Sequence, residues 1–157
     1  TTLTLKALII YCMKLTSPEF EQGEELPEKI GYMEENTNPE LRVEEVPEQA
    51  LSLVLIIDDP DAIEPAGKIW DHWITYDIDP SNTEINSGDS PGTEGMTDFR
   101  ETGYNGPNPP DGEHMYRIRV FALDTELGLP KGASKEEVEE SMEDHILEVA
   151  ELKGRYE

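Results

Sequence analysis

Hydrophobic positions are concentrated in short segments that indicate β-strands. The longest apolar run, LSLVLII at residues 51–57, stops at Asp58-Asp59-Pro60. A short apolar run bounded by acids and proline is typical of a buried central strand. From Trp70 to Ile78, apolar and polar residues alternate, which predicts a half-buried strand. The predicted apolar face of this second strand carries Trp70, His72, Ile74, Tyr76 and Ile78.

A third strand is predicted at residues 115–123, where apolar residues again occupy every second position. One face carries Tyr116, Ile118, Val120 and Ala122. Arg117 and Arg119 mark the opposite face, and His114 shares the parity of Tyr116. Two histidines, His72 and His114, are therefore expected on largely apolar strand faces.

The C-terminal stretch has the pattern of a long helix. Ser134 and Glu137 form an S-x-x-E capping box, and apolar residues follow at helical spacing through Val149. Gly154 is the predicted end of this helix, and His145 is predicted to pack on its apolar side. Together with the strands, this predicts a mostly antiparallel β domain with peripheral helical segments.

A segment of unusual length, residues 79–113, connects the second and third strands. Most connections are only about 4 to 6 residues long, and much longer ones are usually functional or disordered. Its second half, GYNGPNPPDG at residues 103–112, is dense in glycine and proline, which fix or permit unusual backbone angles. We predict that this half is an ordered binding loop.

The charge of the chain excludes some partners. There are 36 acidic and 12 basic residues among 157, a formal net charge of -24. Repulsion disfavours nucleic acids and anionic membranes as partners. The acid is spread over the whole chain instead of forming a tail, which favours adaptation to a salt-rich cytoplasm over an ordinary acidic soluble protein.

The single cysteine and the short apolar runs suggest a compartment. Cys12 has no partner for an intrachain disulfide, so we expect a buried thiol and a reducing, cytoplasmic location. No apolar run approaches the roughly 18 residues that a membrane-spanning helix needs. We therefore expect a soluble protein with no membrane span.

The residues that carry chemistry form one set, and three functions could use it. The set comprises Asp59, Asp61, His72, His114 and Tyr116. Two histidines and a carboxylate could bind zinc or iron, although no HExxH motif is present. The same histidines could serve a serine hydrolase, but no G-x-S-x-G elbow occurs. An anion pocket, with imidazole, hydroxyl and backbone donors, uses every member of the set.

Two segments resemble signatures of the phosphatidylethanolamine-binding protein family, also called the Raf kinase inhibitor protein family. They are DDPDAIEPAGKIWDHW at residues 58–73 and GYNGPNPPDGEHMYRIRVFALD at residues 103–124. The resemblance is to the bacterial and archaeal branch and spans residues 13–157, leaving 1–12 as an extension of unknown role. It implies two antiparallel sheets in a sandwich-like arrangement with small peripheral helices, including a C-terminal one.

The resemblance also implies a function. Family members bind phosphate or phosphorylated groups and act on kinases, proteases or signalling complexes by binding, without turnover or cofactor. The residues implied to line the anion pocket are Asp59, His72, Gly106, Pro107, His114 and Tyr116, supported by Asp61 and Trp70. The sequence departs from the family pattern at Ile63, where a proline is usual, so the Ala62–Ile63 bond could be cis or trans. It also departs at residues 33–35 and at Gly67.

Overall fold

The computed structural model describes residues 12–157 as a mostly β fold with two antiparallel sheets. The extension predicted at residues 1–12 lies outside the described residues except for Cys12. Cys12 is exposed, so the expectation of a buried thiol is wrong. Within 12–157, no helix is long and apolar enough to cross a membrane.

The chain forms eight strands and two short helices in this range. The strands are β1 (Lys14–Thr16), β2 (Leu41–Glu44), β3 (Ser52–Asp59), β4 (Trp70–Ile78), β5 (Glu84–Ile85), β6 (Thr93–Glu94), β7 (His114–Leu123) and β8 (Ile146–Tyr156). The helices are α1 (Ile63–Ala66) and α2 (Lys135–Met142), with 3-10 turns at Glu28–Ile30 and Pro60–Ala62. The small sheet has the order β1-β2-β5, and the large sheet has the order β6-β4-β3-β7-β8.

The large sheet is covered on both faces. One core lies between the two sheets and includes Leu41, Leu55 and Ile118. A second core lies between the large sheet and α2, where Ile56 and Phe121 join Val138. All eight residues of β3 are buried, which confirms the predicted central strand and explains why its sequence is apolar on both faces.

Strand β4 is more buried than its alternating sequence predicted. Its residues 71–76 are all buried, because α2 and the small sheet cover opposite faces. A β-bulge also interrupts its pairing with β3. Asp58 lies opposite Asp71, and the preceding Ile57 lies opposite Trp73, so His72 is an extra residue.

The bulge breaks the parity on which the sequence prediction relied. Trp73 belongs to the core between the sheets, together with Tyr116. Ile74 and Tyr76 belong instead to the core beneath α2. The ring of His72 lies 5.3 Å from that of Tyr116. The prediction that His72 shares a face with Ile74 and Tyr76 is therefore wrong. Bulges commonly redirect a side chain in this way beside functional sites.

Strand β7 has the predicted faces. Tyr116, Ile118, Val120 and Ala122 all point into the core between the sheets. On the opposite face, Arg117 and Arg119 are half-buried and donate hydrogen bonds to the fully buried Asp58. The basic positions of β7 therefore balance a carboxylate buried at the end of β3.

The predicted long C-terminal helix is wrong beyond Met142. The capping box of Ser134 and Glu137 is present, but α2 has only eight residues. The backbone then turns through Asp144, at φ 68, into β8, which pairs with nearly all of β7. The alternating inward residues of β8 are Ala150, Leu152 and Gly154. Pairing with a long exposed strand edge outweighs the helical spacing of the apolar residues.

His145 and Gly154 consequently have roles other than those predicted. His145 lies in the turn between α2 and β8, is 46% exposed at its side chain, and pairs with Asp124 at 2.8 Å. Gly154 lies inside a strand, where a Cβ atom would be 2.3 Å from Leu26 Cδ2. It permits close packing of the N-terminal segment and does not end a helix.

Candidate anion-binding site

A cavity of about 250 Å³ lies where the ends of three neighbouring strands meet. In the antiparallel sheet, the end of β3 is adjacent to the beginnings of β4 and β7, as the pairing of Asp59 with Trp70 shows. Residues far apart in sequence are therefore brought together at one sheet edge. We call this space the strand-end cavity. Its lining residues are Asp59, Ala62, Pro65, Ala66, Trp70, His72, Phe99, Asn108, Pro109, Pro110, His114 and Tyr116.

His114 is held between two carboxylates. Its Nδ1 is 2.5 Å from Asp59 Oδ2, and its Nε2 is 2.5 Å from Asp111 Oδ1. Ionised carboxylates only accept hydrogen bonds, so both ring nitrogens donate and the ring is an imidazolium. Burial opposes this charge, but the hydrogen bonds and charges of Asp59 and Asp111 raise the pKa of His114. The cavity thus contains one buried cationic donor.

His72 is in the opposite charge state. Its Nδ1 donates to the carbonyl oxygen of Asn105 at 2.7 Å, and the amide of Asn105 donates back to the His72 carbonyl at 2.9 Å. Burial lowers the pKa of His72 to about 4. The ring is therefore neutral near pH 7, and its Nε2 can only accept a hydrogen bond. His72 therefore cannot supply a charged donor to the cavity near pH 7.

Three aromatic side chains, those of Tyr116, Phe99 and Trp70, also line the cavity. The ring of Tyr116 lies 5.3 Å from His72 and 6.2 Å from His114. Burial, with a further contribution from the charge of Asp59, raises the pKa of Tyr116. Its hydroxyl therefore stays protonated and can donate. Phe99 stacks on Tyr32 with centroids 4.7 Å apart and meets Trp70 edge-on.

Asp59 and Asp61 fix the geometry around His114. Asp59 Oδ1 accepts a hydrogen bond from the Asp61 amide at 3.0 Å, which caps the 3-10 turn Pro60–Ala62. Asp61 Oδ2 accepts from the Met115 amide at 2.8 Å. Burial raises the pKa of Asp59, while its bond from His114 opposes that rise. The two aspartates tie the end of β3 to the beginning of β7.

Gly106 and Pro107, which the resemblance places in the pocket, are not among the lining residues of the cavity. The Gly106 amide donates to Asn36 Oδ1 at 2.7 Å, and the Pro107 carbonyl accepts from the Tyr32 amide at 2.8 Å. A Cβ atom at Gly106 would lie 1.8 Å from the carbonyl oxygen of Ile30. These residues anchor the binding loop to residues 28–36, and other members of the loop reach the ligand space.

The departures from the family pattern have simple structural outcomes. No cis peptide bond occurs in residues 12–157, so Ala62–Ile63 is trans, and Ile63 begins α1. Gly67 adopts φ 80 at the end of α1, a conformation that glycine accepts readily. Phe99 is among the aromatic residues that line the cavity.

Sequence reasoning missed three residues of this site: Phe99, Asn105 and Asp111. All three belong to the connection between β4 and β7, where no periodicity indicates which side chains turn inward. Asp111 is three residues before His114, but only the left-handed turn at Gly112, with φ 118, brings its carboxylate back to the ring. Asn105 could have been suspected from its place in the glycine- and proline-rich loop.

The fold and cavity define a class, a two-sheet β domain with a small cavity at the strand ends. The chain belongs to the phosphatidylethanolamine-binding protein family, whose model matches residues 16–157.

Relatives occur in archaea and bacteria. A UPF0098 protein of Methanothermobacter thermautotrophicus is 41% identical over 151 residues, covering 92% of this chain and 98% of the relative.

Solved structures agree. A putative phosphatidylethanolamine-binding protein homologue from Chlamydia trachomatis is 37% identical, with TM-score 0.89, covering 94% of this chain and 98% of the other. YbcL of Escherichia coli, described as a new member of the mammalian family, is 28% identical with TM-score 0.84, covering 92% and 98%.

Proposed function

We propose that this protein binds a small anion, phosphate or a phosphate-bearing group, in the strand-end cavity, and that it acts by binding without turnover. One observation carries the proposal: His114 already holds a carboxylate. The side chain of Asp111 is 51% exposed, yet its oxygen lies 2.5 Å from the buried Nε2 of His114. A ligand oxygen that takes this position would receive the same charge-assisted hydrogen bond.

The cavity supplies further contacts for such a ligand. The Tyr116 hydroxyl is a second donor, and the proline and aromatic residues of the wall exclude water from the polar floor. A less hydrated site strengthens each charged hydrogen bond. Regulation of a protein partner, if the chain performs it, would follow from this binding.

Hydrolysis is less well supported by the same residues. In the described part of the chain, the cavity lining includes no serine, threonine or cysteine that could act as a nucleophile. His114 donates from both nitrogens and has no free lone pair to act as a general base. The neutral His72 keeps a lone pair on Nε2, but none of the described lining residues beside it is a serine, threonine or cysteine. Among residues 12–157, no group of three His, Cys, Asp or Glu side chains is arranged to hold a metal ion.

Calorimetric titration with inorganic phosphate tests the proposal. We expect His114→Gln to weaken phosphate binding at least about tenfold, since a hydrogen bond to a charged group contributes about 1.5 to 3 kcal/mol. His145→Gln is the matched control, because His145 is exposed and pairs with Asp124 outside the cavity. Phosphate binding that is absent, or equal in both variants, would show that the proposal is wrong.

The pH dependence has a defined direction. Because Asp59 and Asp111 raise the pKa of His114, the cationic donor is present below that pKa and is lost as the pH rises through it. Inorganic phosphate also changes its own charge close to neutral pH, within the range where histidine titrates. Nuclear magnetic resonance of the His114 ring in the free protein therefore gives the clean measurement, with titration expected above the ordinary value of about 6.5.

A further inference from the structure

Hydrogen-bond acceptors outnumber donors among the polar groups around His114. Asp59 lines the cavity and Asp111 stands at its edge, both within 2.5 Å of the same imidazolium. His72 adds an unprotonated ring nitrogen to the lining, because its proton is on the Nδ1 that donates to Asn105. Against these acceptors the floor offers the His114 Nε2 proton and the Tyr116 hydroxyl. An anion that enters therefore meets acceptors as well as donors.

We propose that the cavity selects oxyanions that carry a proton, such as hydrogen phosphate and singly protonated phosphomonoesters, over sulfate, and that Asp111 is the residue that makes this selection. The inference rests on the proposed anion binding. One deprotonated oxygen accepts from His114, while the P–OH group donates to the carboxylate of Asp111. Sulfate has no proton near neutral pH, so its oxygens would face that carboxylate with no hydrogen bond between them.

Asp111 is placed to remain beside the ligand after it leaves His114. It follows Pro109 and Pro110, which line the cavity and whose rings restrict the backbone. Its half-exposed side chain can rotate away from Nε2 by a small distance, whereas the buried Asp59 is held by bonds to His114 and to the Asp61 amide. Asp111 is therefore both the group that is displaced and the acceptor that meets the incoming anion.

The size of the effect follows from the exposure of Asp111. A buried site built to pair a hydroxyl group rejects an analogue without it by about 10⁴-fold or more. Because water can reach one side of Asp111, the discrimination should be smaller. We expect phosphate to bind about tenfold to a hundredfold more tightly than sulfate.

Competitive calorimetry at about pH 8, above the second pKa of phosphate, tests this selection at constant ionic strength. Hydrogen phosphate then has the same charge as sulfate and differs from it by the proton. Asp111→Asn keeps the size of the side chain but supplies an N–H donor, so sulfate should bind more tightly and the ratio should fall toward one. Glu113→Gln is the matched control, because Glu113 is an exposed neighbour that faces Arg155. This control should retain the preference of the unaltered chain.

Two outcomes separate this inference from the function on which it rests. Equal affinity for the two anions in the unaltered chain, or an unchanged ratio in Asp111→Asn, would overturn the selection and leave anion binding intact. Failure of both the unaltered chain and Asp111→Asn to bind either anion would overturn the proposed function itself.

Discussion

His72 and His114 lie in one cavity but differ in charge because their partners differ. The Nδ1 of His72 donates to a neutral carbonyl, and burial leaves its ring uncharged near pH 7. His114 donates to two carboxylates, which hold a proton on each of its nitrogens. A single residue type therefore supplies an acceptor and a charged donor within the same small space.

The neutral state of His72 predicts a loss of stability in acid. Its pKa is about 4 in the folded chain and about 6.5 in the unfolded chain. Between these values the unfolded state binds the extra proton, so the free energy of unfolding falls as the pH falls. From pH 6.5 to pH 5, we expect His72 to contribute a loss of about 2 kcal/mol.

Urea unfolding at pH 7 and pH 5 measures this contribution by difference. The pH dependence should be smaller in His72→Gln than in the unaltered chain, whatever the variant's own stability. His145→Gln, altered at an exposed histidine, should keep the full dependence. Identical pH dependence in all three proteins would contradict a neutral, buried His72.

At the scale of elements, the binding loop at residues 103–112 is expected to be ordered without ligand. Its anchoring bonds are the amides of Asn105 and Gly106, which donate to His72 and Asn36. Hydrogen exchange should be slow at these two amides and fast at the exposed Asp111. Fast exchange throughout the loop would mean that the cavity is not preformed.

Gly106→Ala tests the same anchor by mutation. The added Cβ atom would overlap the Ile30 carbonyl, so the loop must move, at a cost of about 1 to 3 kcal/mol. We expect a lower unfolding midpoint and faster exchange at Asn105. Asn108→Ala, at an exposed position in the same loop, should leave both unchanged.

A buried charge cluster attaches α2 to the large sheet behind the cavity. Lys135 Nζ lies 3.2 Å from Asp58 Oδ2 and 2.6 Å from Asp71 Oδ1. Without Lys135, Asp58 keeps its two arginine partners on β7, but the buried Asp71 loses its ion-pair partner. Leaving a buried charge uncompensated costs about 3 to 5 kcal/mol. Lys135→Gln should therefore lower the free energy of unfolding by about 3 kcal/mol, measured in urea. Lys131→Gln, at an exposed position, should change the free energy of unfolding little. An equally small change in Lys135→Gln would mean that the charge cluster does not stabilise the fold.

The elements that sequence alone predicted well are those whose pattern depends on local burial. The apolar run at residues 51–57 reflects burial of both faces of β3, and the alternation in β7 reflects one buried and one half-buried face over most of the strand. The bulge at His72 could not be predicted, because it depends on how β3 and β4 are offset. The strand β8 was taken for a helix because apolar residues at 138, 142, 146 and 149 fit both a helix and, from 146 onward, a partly exposed strand.

The candidate site shows the same division. The family resemblance implies that Asp59, His72, His114 and Tyr116 line one pocket, and all four line the strand-end cavity. The contributions of the connection between β4 and β7 were not predictable in detail. Gly106 and Pro107 anchor the loop, Asp111 contacts His114, and Phe99 lines the cavity. The geometry of the turns determines which loop side chains face the cavity, and no hydrophobic periodicity in the sequence indicates that geometry.

For the whole molecule, the net charge of -24 predicts salt-dependent stability. With 36 acidic and 12 basic residues, most carboxylates have no basic partner to offset their mutual repulsion. At about 1 M salt the screening length falls to about 3 Å, so the repulsion largely disappears. Thermal melts should show a midpoint that rises with KCl concentration. A flat or falling midpoint between dilute buffer and about 1 M KCl would rule out this salt adaptation.

Strand β8 also constrains when the domain can fold during its synthesis. It covers one edge of β7, and its Arg155 exchanges backbone hydrogen bonds with Glu24 and Leu26 near the other end of the chain. While β8 is still inside the ribosomal exit tunnel, Phe20 and Leu26 have no surface to cover and the edge of β7 is open. A ribosome-bound chain ending before β8 is therefore expected to stay exposed to chaperones, and the cavity to form only once β8 has emerged.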